Sequence, residues 1–182
     1  ARVATRLNNL GLIQRQMGRA SDARASFERA LAIAESVYGT EHPEVANISF
    51  NLGLALQSQG ELAAARNAYA RAVTVDAAHY GTDHPRVAQR LKPYAQRLQE
   101  MGDFAGARAA FERALAIETA ALGPNHLRLA ETLTQLGALL TLQGDPPAAR
   151  AAYERALLIL SASLPPRHPR IIAIQQRLSG LA

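Results

Sequence analysis

Apolar side chains recur at helical spacing near the start of four successive segments of the chain. The stripe of the first segment comprises Val3, Leu7, Leu10, Gln14 and Met17, and that of the fourth comprises Leu129, Leu133, Leu136, Leu140 and Gln143. Steps of three and four residues place such positions on one side of an α-helix. We therefore predict that each segment begins with an amphipathic helix, the first helix, whose apolar stripe faces the core.

A second helix is predicted after each first helix. The glycines that end the first helices are Gly18, Gly60, Gly102 and Gly144. Asp145-Pro146 marks the clearest start of a second helix, because an N-cap residue precedes a proline suited to the first turn. The second helix runs through strings such as FERALAIAESVY, residues 27–38, and ends at the next glycine. The chain thus reads as a series of helix pairs.

The helix pairs repeat with a period of 42 residues. Phe27, Tyr69, Phe111 and Tyr153 form one aromatic series, and positions 11, 53, 95 and 137 are Gly or Ala. One such pair cannot bury its apolar side alone, so copies must stack. We predict an all-α protein with one domain over residues 1–182, an α-solenoid of four helix pairs plus a capping helix. The repeats span about 3–44, 45–86, 87–128 and 129–170, and the capping helix spans 171–182.

The pattern of small and aromatic residues resembles the tetratricopeptide repeat. Residues 11, 23 and 30 are small and residue 27 is aromatic, as that repeat requires. The string VATRLNNLG…G…A…FERALAI…YG..HP resembles the 42-residue variety of kinesin light chains and of many bacterial multidomain proteins. The resemblance covers essentially the whole chain and is weakest in the third repeat, where QRLKPYAQRL replaces the LNNLG core. It implies a superhelix whose first helices line a concave groove.

Four histidines share the 42-residue step, namely His42, His84, His126 and His168. Ligands of one zinc ion lie within roughly 4 Å of each other, whereas equivalent residues of stacked helices are about 8–10 Å apart. Three of the histidines precede a proline at the start of a first helix, where they are at or near the N-cap. We therefore interpret the series as structural and predict no metal site and no cofactor.

Composition narrows the possible functions. Cysteine is absent, which excludes disulfides and thiolate catalysis. Cysteine usage therefore gives no indication of whether the protein works in a reducing or an oxidising compartment. No Gly-rich phosphate loop, HExxH motif or triad motif is present, so we expect no enzyme. The net charge of +5 is spread thinly, unlike a nucleic-acid patch, and no apolar run approaches the roughly 20 residues of a membrane helix. We expect a cytoplasmic chain, part of a longer protein because a helical pattern begins directly at Ala1.

A second stripe on the first helices supplies the candidate binding residues. Phe50, Leu12 and Leu54 are apolar where solvent is expected, and amides and Lys92 accompany them. An apolar spot rimmed by hydrogen-bond donors suits an extended peptide. The candidates are Asn8, Leu12, Arg15, Asn47, Phe50, Asn51, Leu54, Gln89, Lys92 and Gln96. For Asn51, and for Asn9 beside Asn8, a role in bracing neighbouring helices remains equally open.

These residues favour a protein-interaction scaffold that holds a peptide segment or a partner protein in its groove. Lys92 and Arg15 favour an acidic or C-terminal segment. The alternative is a regulatory or sensor arm of a larger signalling ATPase or protease. Because only the C-terminal end carries a capping helix, we expect a monomer, or weak self-association through the N-terminal end.

Pro93 lies inside the first helix of the third repeat, where we predict a kink or a local break.

Overall fold

The computed structural model describes residues 2–181, and its regular secondary structure in that range is entirely α-helical. The described range contains four helix pairs followed by one further helix, which confirms the predicted α-solenoid with a C-terminal helix. The helices are α1 (Arg2–Gln16), α2 (Ala20–Tyr38), α3 (Pro43–Ser58), α4 (Leu62–Tyr80), α5 (Pro85–Glu100), α6 (Phe104–Leu122), α7 (Leu127–Leu142), α8 (Pro146–Ser161) and α9 (Pro169–Ser179). No helix in residues 2–181 combines the length and the apolar character of a membrane span.

The chain divides between Arg90 and Leu91 into two compact units. In the first unit, α1 packs against α2, α2 against α3, and α3 against α4. In the second unit, α6 packs against α7, α7 against α8, and α8 against α9. Each unit therefore has a core built from successive helices in chain order, as stacked repeats require.

Close approach within the helix pairs depends on glycine facing an aromatic ring. A Cβ atom added at these glycines would lie only 2.5 to 2.7 Å from a ring carbon, closer than real Cβ atoms come. The facing pairs are Gly11 with Phe27, Gly53 with Tyr69, and Gly137 with Tyr153. All three rings are buried. The small-residue series and the aromatic series of the repeat therefore meet in these three pairs.

The first helices end as their glycines predict. Gly18 has a φ of +75°, a backbone conformation that residues with a Cβ atom rarely adopt. The backbone N–H of Arg19 donates to the carbonyl of Gln14 at 2.9 Å, and that of Gly18 donates to the carbonyl of Arg15 at 3.0 Å. These two bonds form a Schellman motif, and the same pair of bonds closes α3, α5 and α7.

The histidine series caps the N-terminal ends of α3, α5, α7 and α9. In each copy the Nδ1 atom accepts a hydrogen bond from the backbone N–H two residues later, at 3.1 Å for His42 and 3.2 Å for the other three. The four donors are the N–H groups of Glu44, Arg86, Arg128 and Arg170. This bond satisfies one of the free donors at each helix start, which confirms the structural interpretation. Within residues 2–181, no three His, Asp or Glu side chains are grouped as metal ligands would be.

The prediction that the apolar stripe of α1 faces the core is wrong for Val3, Leu10 and Met17. The buried residues of α1 are Ala4, Asn8 and Gly11, whereas Val3, Leu10 and Met17 are 57%, 45% and 64% exposed. The equivalent stripe is buried in α7, at Leu129, Leu133, Leu136 and Leu140. The preceding helix, α6, packs against α7. Among the described residues, no helix covers the equivalent stripe of α1.

The helix that contains Pro93 is continuous. α5 extends from Pro85 to Glu100 with Pro93 inside it, so the alternative of a local break is wrong. Proline removes one backbone hydrogen bond, and the neighbouring Leu91 and Leu98 are buried on the same helix. Burial of these side chains offsets the lost bond and holds the helix together.

Candidate functional site

The first unit contains a polar crevice between α3, α4 and the start of α5, which we name the α3–α5 crevice. It has a volume of about 260 Å³. Two of the candidate residues, Asn47 and Gln89, meet in it. The complete lining is Pro43, Asn47, Asp76, Tyr80, Arg86, Gln89 and Arg90.

Arg90 is held in the α3–α5 crevice by three contacts. Its Nε donates to Oδ2 of Asp76 at 2.7 Å, and its Nη2 donates to Oδ1 of Asn47 at 2.6 Å. Its guanidinium carbon lies 5.4 Å from the centroid of the Phe50 ring, within reach of a cation–π contact. The Asp76 carboxylate is buried and paired. Arg90 is therefore a fixed part of the crevice wall.

Three further groups of the crevice are free to meet a ligand. Arg86 stacks over Tyr80 at 6.0 Å and has no carboxylate partner in the described range. Gln89 is exposed and has no hydrogen-bond partner among residues 2–181. The oxygen of Asn47 is engaged by Arg90, so its NH₂ group remains available. With one carboxylate against two arginines, the crevice carries an excess positive charge and suits an anionic group.

The asparagines and the aromatic ring of the candidate set make contacts inside the first unit. Nδ2 of Asn51 donates to Oδ1 of Asn8 at 2.9 Å, and Asn8 is buried. This bond ties α3 to α1, which is the bracing role that the sequence left open for Asn51. Phe50 is half-buried, with its ring centroid 4.9 Å from that of Tyr69. A direct role of these three residues in peptide binding stays a prediction.

The remaining candidates of the first unit are half-buried. Leu12 packs against the core of that unit, and Leu54 lies one turn after Phe50 on α3. The Nε atom of Arg15 is buried without a hydrogen-bond partner in the described structure. An unpaired donor of this kind is costly unless something else satisfies it. The predicted ligand contacts of Leu12, Leu54 and Arg15 remain predictions.

Lys92 and Gln96 lie in the second unit. The Lys92 ammonium is 3.1 Å from Oε1 of Glu118 and 3.7 Å from Oε2 of Glu131. Glu118 is buried and also accepts a hydrogen bond from Thr132 at 2.7 Å. The charge of Lys92 is thus balanced within the protein. Gln96 is half-buried, with no hydrogen-bond partner among the described residues.

The sequence reading missed Arg86, Arg90 and Asp76 as parts of one site. A comparison of the repeat copies, however, gives a sequence signal for Asp76 and for its partner Arg90. One buried second-helix position reads Ala34, Asp76, Glu118 and Leu160 in successive copies. The two carboxylates in this otherwise apolar series each bind a side chain 14 residues later, Arg90 and Thr132 respectively. A comparison of the copies at this position therefore points to the polar contact between repeats.

The sequence profile of the tetratricopeptide repeat family matches residues 2–78 and 92–162 of the chain. No curated protein sequence matches the chain.

Solved structures share the fold. A kinesin light chain-like protein of Podospora anserina with nearly identical TPR-like repeats is 22% identical, with a TM-score of 0.81 over 97% of this chain and 84% of that one. Its Q17M variant is 21% identical, with a TM-score of 0.80 over the same shares. BtubC (BKLC) of P. vanneervenii is 26% identical, with a TM-score of 0.75 over 87% of this chain and 63% of that one.

Proposed function

The chain belongs to the tetratricopeptide repeat family, and from this premise we propose that it binds an extended segment of a partner protein along its first helices. Tetratricopeptide repeats generally mediate protein–protein interaction, and the fold is typically a non-enzymatic scaffold. An extended segment offers a backbone group about every 3.3 Å and side chains on alternate sides. Crevices between successive first helices can accept such side chains.

The α3–α5 crevice is the observation that carries this proposal. Arg86, Gln89 and the NH₂ group of Asn47 are unpaired donors around one cavity, while Arg90 and Asp76 form its fixed wall. A carboxylate entering the crevice meets the fork of Arg86 and two amide donors. We propose that the first unit recognises an acidic side chain of the partner segment.

A display library of random peptides tests this proposal. We expect selection to enrich peptides with an acidic residue. The double variant R86A/Q89A should weaken binding of a selected peptide by about tenfold or more, which corresponds to about 1.4 kcal/mol. Both side chains are exposed, so the melting temperature should stay unchanged.

The matched control is R29A, which removes an exposed arginine from α2. It carries the same loss of charge at a position away from the crevice. Equal loss of affinity in R29A and R86A/Q89A would reduce the effect to general electrostatics. Undiminished affinity in R86A/Q89A would exclude the crevice as the binding site.

We also propose weak self-association through α1. Val3, Leu10 and Ile13 on α1, and Met17 directly after it, are all exposed large apolar side chains. Burial of such a face against a second copy of the chain removes apolar area from water.

A further inference from the structure

A second crevice lies in the second unit, between α7, α8 and α9, and we name it the α7–α9 crevice. Its volume is about 230 Å³. Leu160 and Ile174 form its buried floor, and Ala173 and Thr134 form part of its wall. The space is wide enough for a branched aliphatic side chain, and its floor offers no polar group to such a side chain.

The α7–α9 crevice corresponds to the α3–α5 crevice two repeats earlier in the chain. Leu160 stands at the position equivalent to Asp76, and Ile174 stands at the position equivalent to Arg90. The ion pair that fills the wall of one crevice is therefore replaced by two aliphatic side chains in the other. The two crevices have the same origin in the repeat and opposite preferences for a ligand.

Gln135 supplies the polar part of the α7–α9 crevice. It lines the crevice, and its Oε1 atom is buried without a hydrogen-bond partner among the described residues. A buried carbonyl oxygen in this state lacks an expected hydrogen bond. The backbone N–H of an extended peptide provides that bond, and the NH₂ group of the same carboxamide can donate to a peptide carbonyl.

The rim of the crevice is positively charged. Arg170 and Arg177 are exposed at the rim, and neither has a carboxylate partner in residues 2–181. Arg177 lies over the ring of Tyr153 at 5.9 Å. The rim carboxylate of Glu131 is 3.7 Å from the ammonium of Lys92, which offsets its charge. A carboxylate beside the bound aliphatic side chain therefore complements this rim.

We propose that the α7–α9 crevice binds an aliphatic side chain of an extended peptide, that Gln135 pairs with the peptide backbone at that residue, and that Arg170 and Arg177 attract a neighbouring acidic residue. This inference rests on the proposed function, the binding of an extended peptide segment, and adds that the second unit recognises an aliphatic residue of such a segment. The α3–α5 crevice and the α7–α9 crevice then recognise chemically different residues of partner segments.

A single-residue probe tests the crevice directly. N-acetyl-leucine methylamide carries one aliphatic side chain and both backbone amides. Titration with this probe should shift the methyl NMR signals of Leu160 and Ile174 and the side-chain NH₂ signal of Gln135 in a saturable manner. N-acetyl-aspartate methylamide should not shift them.

Two variants with matched controls separate binding from folding. A173L fills the crevice and should abolish the saturable shifts, while A121L places the same added volume at an exposed position of α6 and should leave them intact. Q135L keeps the size of the side chain. It should lower the affinity for the probe by about threefold to tenfold, which corresponds to the loss of one hydrogen bond. Q175L, at an exposed position of α9, is its control.

The outcomes distinguish this inference from the proposed function. Shifts that persist in A173L, or no saturable shift at Leu160 and Ile174, would overturn the inference. Equal shifts with isoamyl alcohol, which has no amide, would reduce the crevice to an apolar cavity without peptide recognition. If library peptides still bind and still lose affinity in R86A/Q89A, the proposed function stands although the second crevice fails.

Discussion

The buried carboxylate of Asp76, on α4, accepts a hydrogen bond from Nε of Arg90, on α5, at 2.7 Å. Removing these charges from water costs free energy, and their mutual attraction together with the bond from Arg90 to Asn47 offsets that cost. Either charge alone in this place would be uncompensated. The equivalent pair two repeats later is Leu160 and Ile174, so the fold also accepts an apolar pair here.

Replacement of one partner of this pair should therefore destabilise more than replacement of both. We predict that D76L lowers the free energy of unfolding by about 3–5 kcal/mol because Arg90 loses its counter-charge. The double variant D76L/R90I copies the residues of the second unit and should recover most of that loss. Urea unfolding of the three proteins measures both values. A double variant as unstable as D76L would show that the effect comes from shape and not from charge.

The histidine caps predict a specific order of stability among substitutions. Nδ1 of His84 accepts from the backbone N–H of Arg86 at 3.2 Å, and the side chain is exposed. H84A should lower the free energy of unfolding by about 1 kcal/mol because this acceptor is lost. H84N retains a side-chain acceptor and should stay close to wild type in a thermal melt. If H84N is as unstable as H84A, the ring stacking of His84 on Tyr80 at 5.1 Å, and not the cap, is responsible.

The interpretation of the histidines as scaffold also predicts the effect of metal. Zinc or nickel added to the protein should not raise its melting temperature, since among residues 2–181 no three His, Asp or Glu side chains are grouped as ligands of one ion. A rise of several degrees that H84A abolishes would reverse this interpretation.

Close packing of the helix pairs predicts a large effect of one methyl group. A Cβ at residue 53 would lie 2.5 Å from a ring carbon of Tyr69, a side chain that is fully buried. We predict that G53A lowers the free energy of unfolding by about 1–3 kcal/mol through overpacking. The control is G180A, where the nearest atoms are 3.6 Å away and φ is negative. A thermal melt in which both variants behave alike would refute the packing argument.

The sequence could predict the fold because its signals are local and repeated. The facing of Gly53 and Tyr69, the turn at Gly18 and the cap at His84 each depend on residues a few positions apart or one helix away. Such contacts follow from helical periodicity and turn chemistry. Their recurrence every 42 residues gives several independent observations of one structure.

The candidate site could be predicted only in part because its contacts depend on neighbours from other helices. Lys92 was expected to face a ligand, yet the buried Glu118 lies 3.1 Å from its ammonium. Arg90 was not expected at all, since its partners Asp76 and Asn47 come from two other helices. The burial predicted for Val3 and Leu10 of α1 failed for a similar reason, because burial of an apolar position requires a covering helix as well as periodicity.

The exposed apolar side of α1 leads to a prediction of association. Leu10 and Met17 are 45% and 64% exposed, and the positions equivalent to Leu10 in α3 and α7 are half-buried and buried beneath a preceding helix. We expect the average mass in sedimentation equilibrium to rise above that of the monomer at high protein concentration. L10Q/M17Q should remain monomeric, and its melting temperature should change little because both side chains are exposed.

The control is L158Q, which removes a lone exposed leucine from α8 and should associate like wild type. Association of L10Q/M17Q as strong as that of wild type would place the contact elsewhere, and a wild-type protein that stays monomeric throughout would show that this face does not bind a second copy.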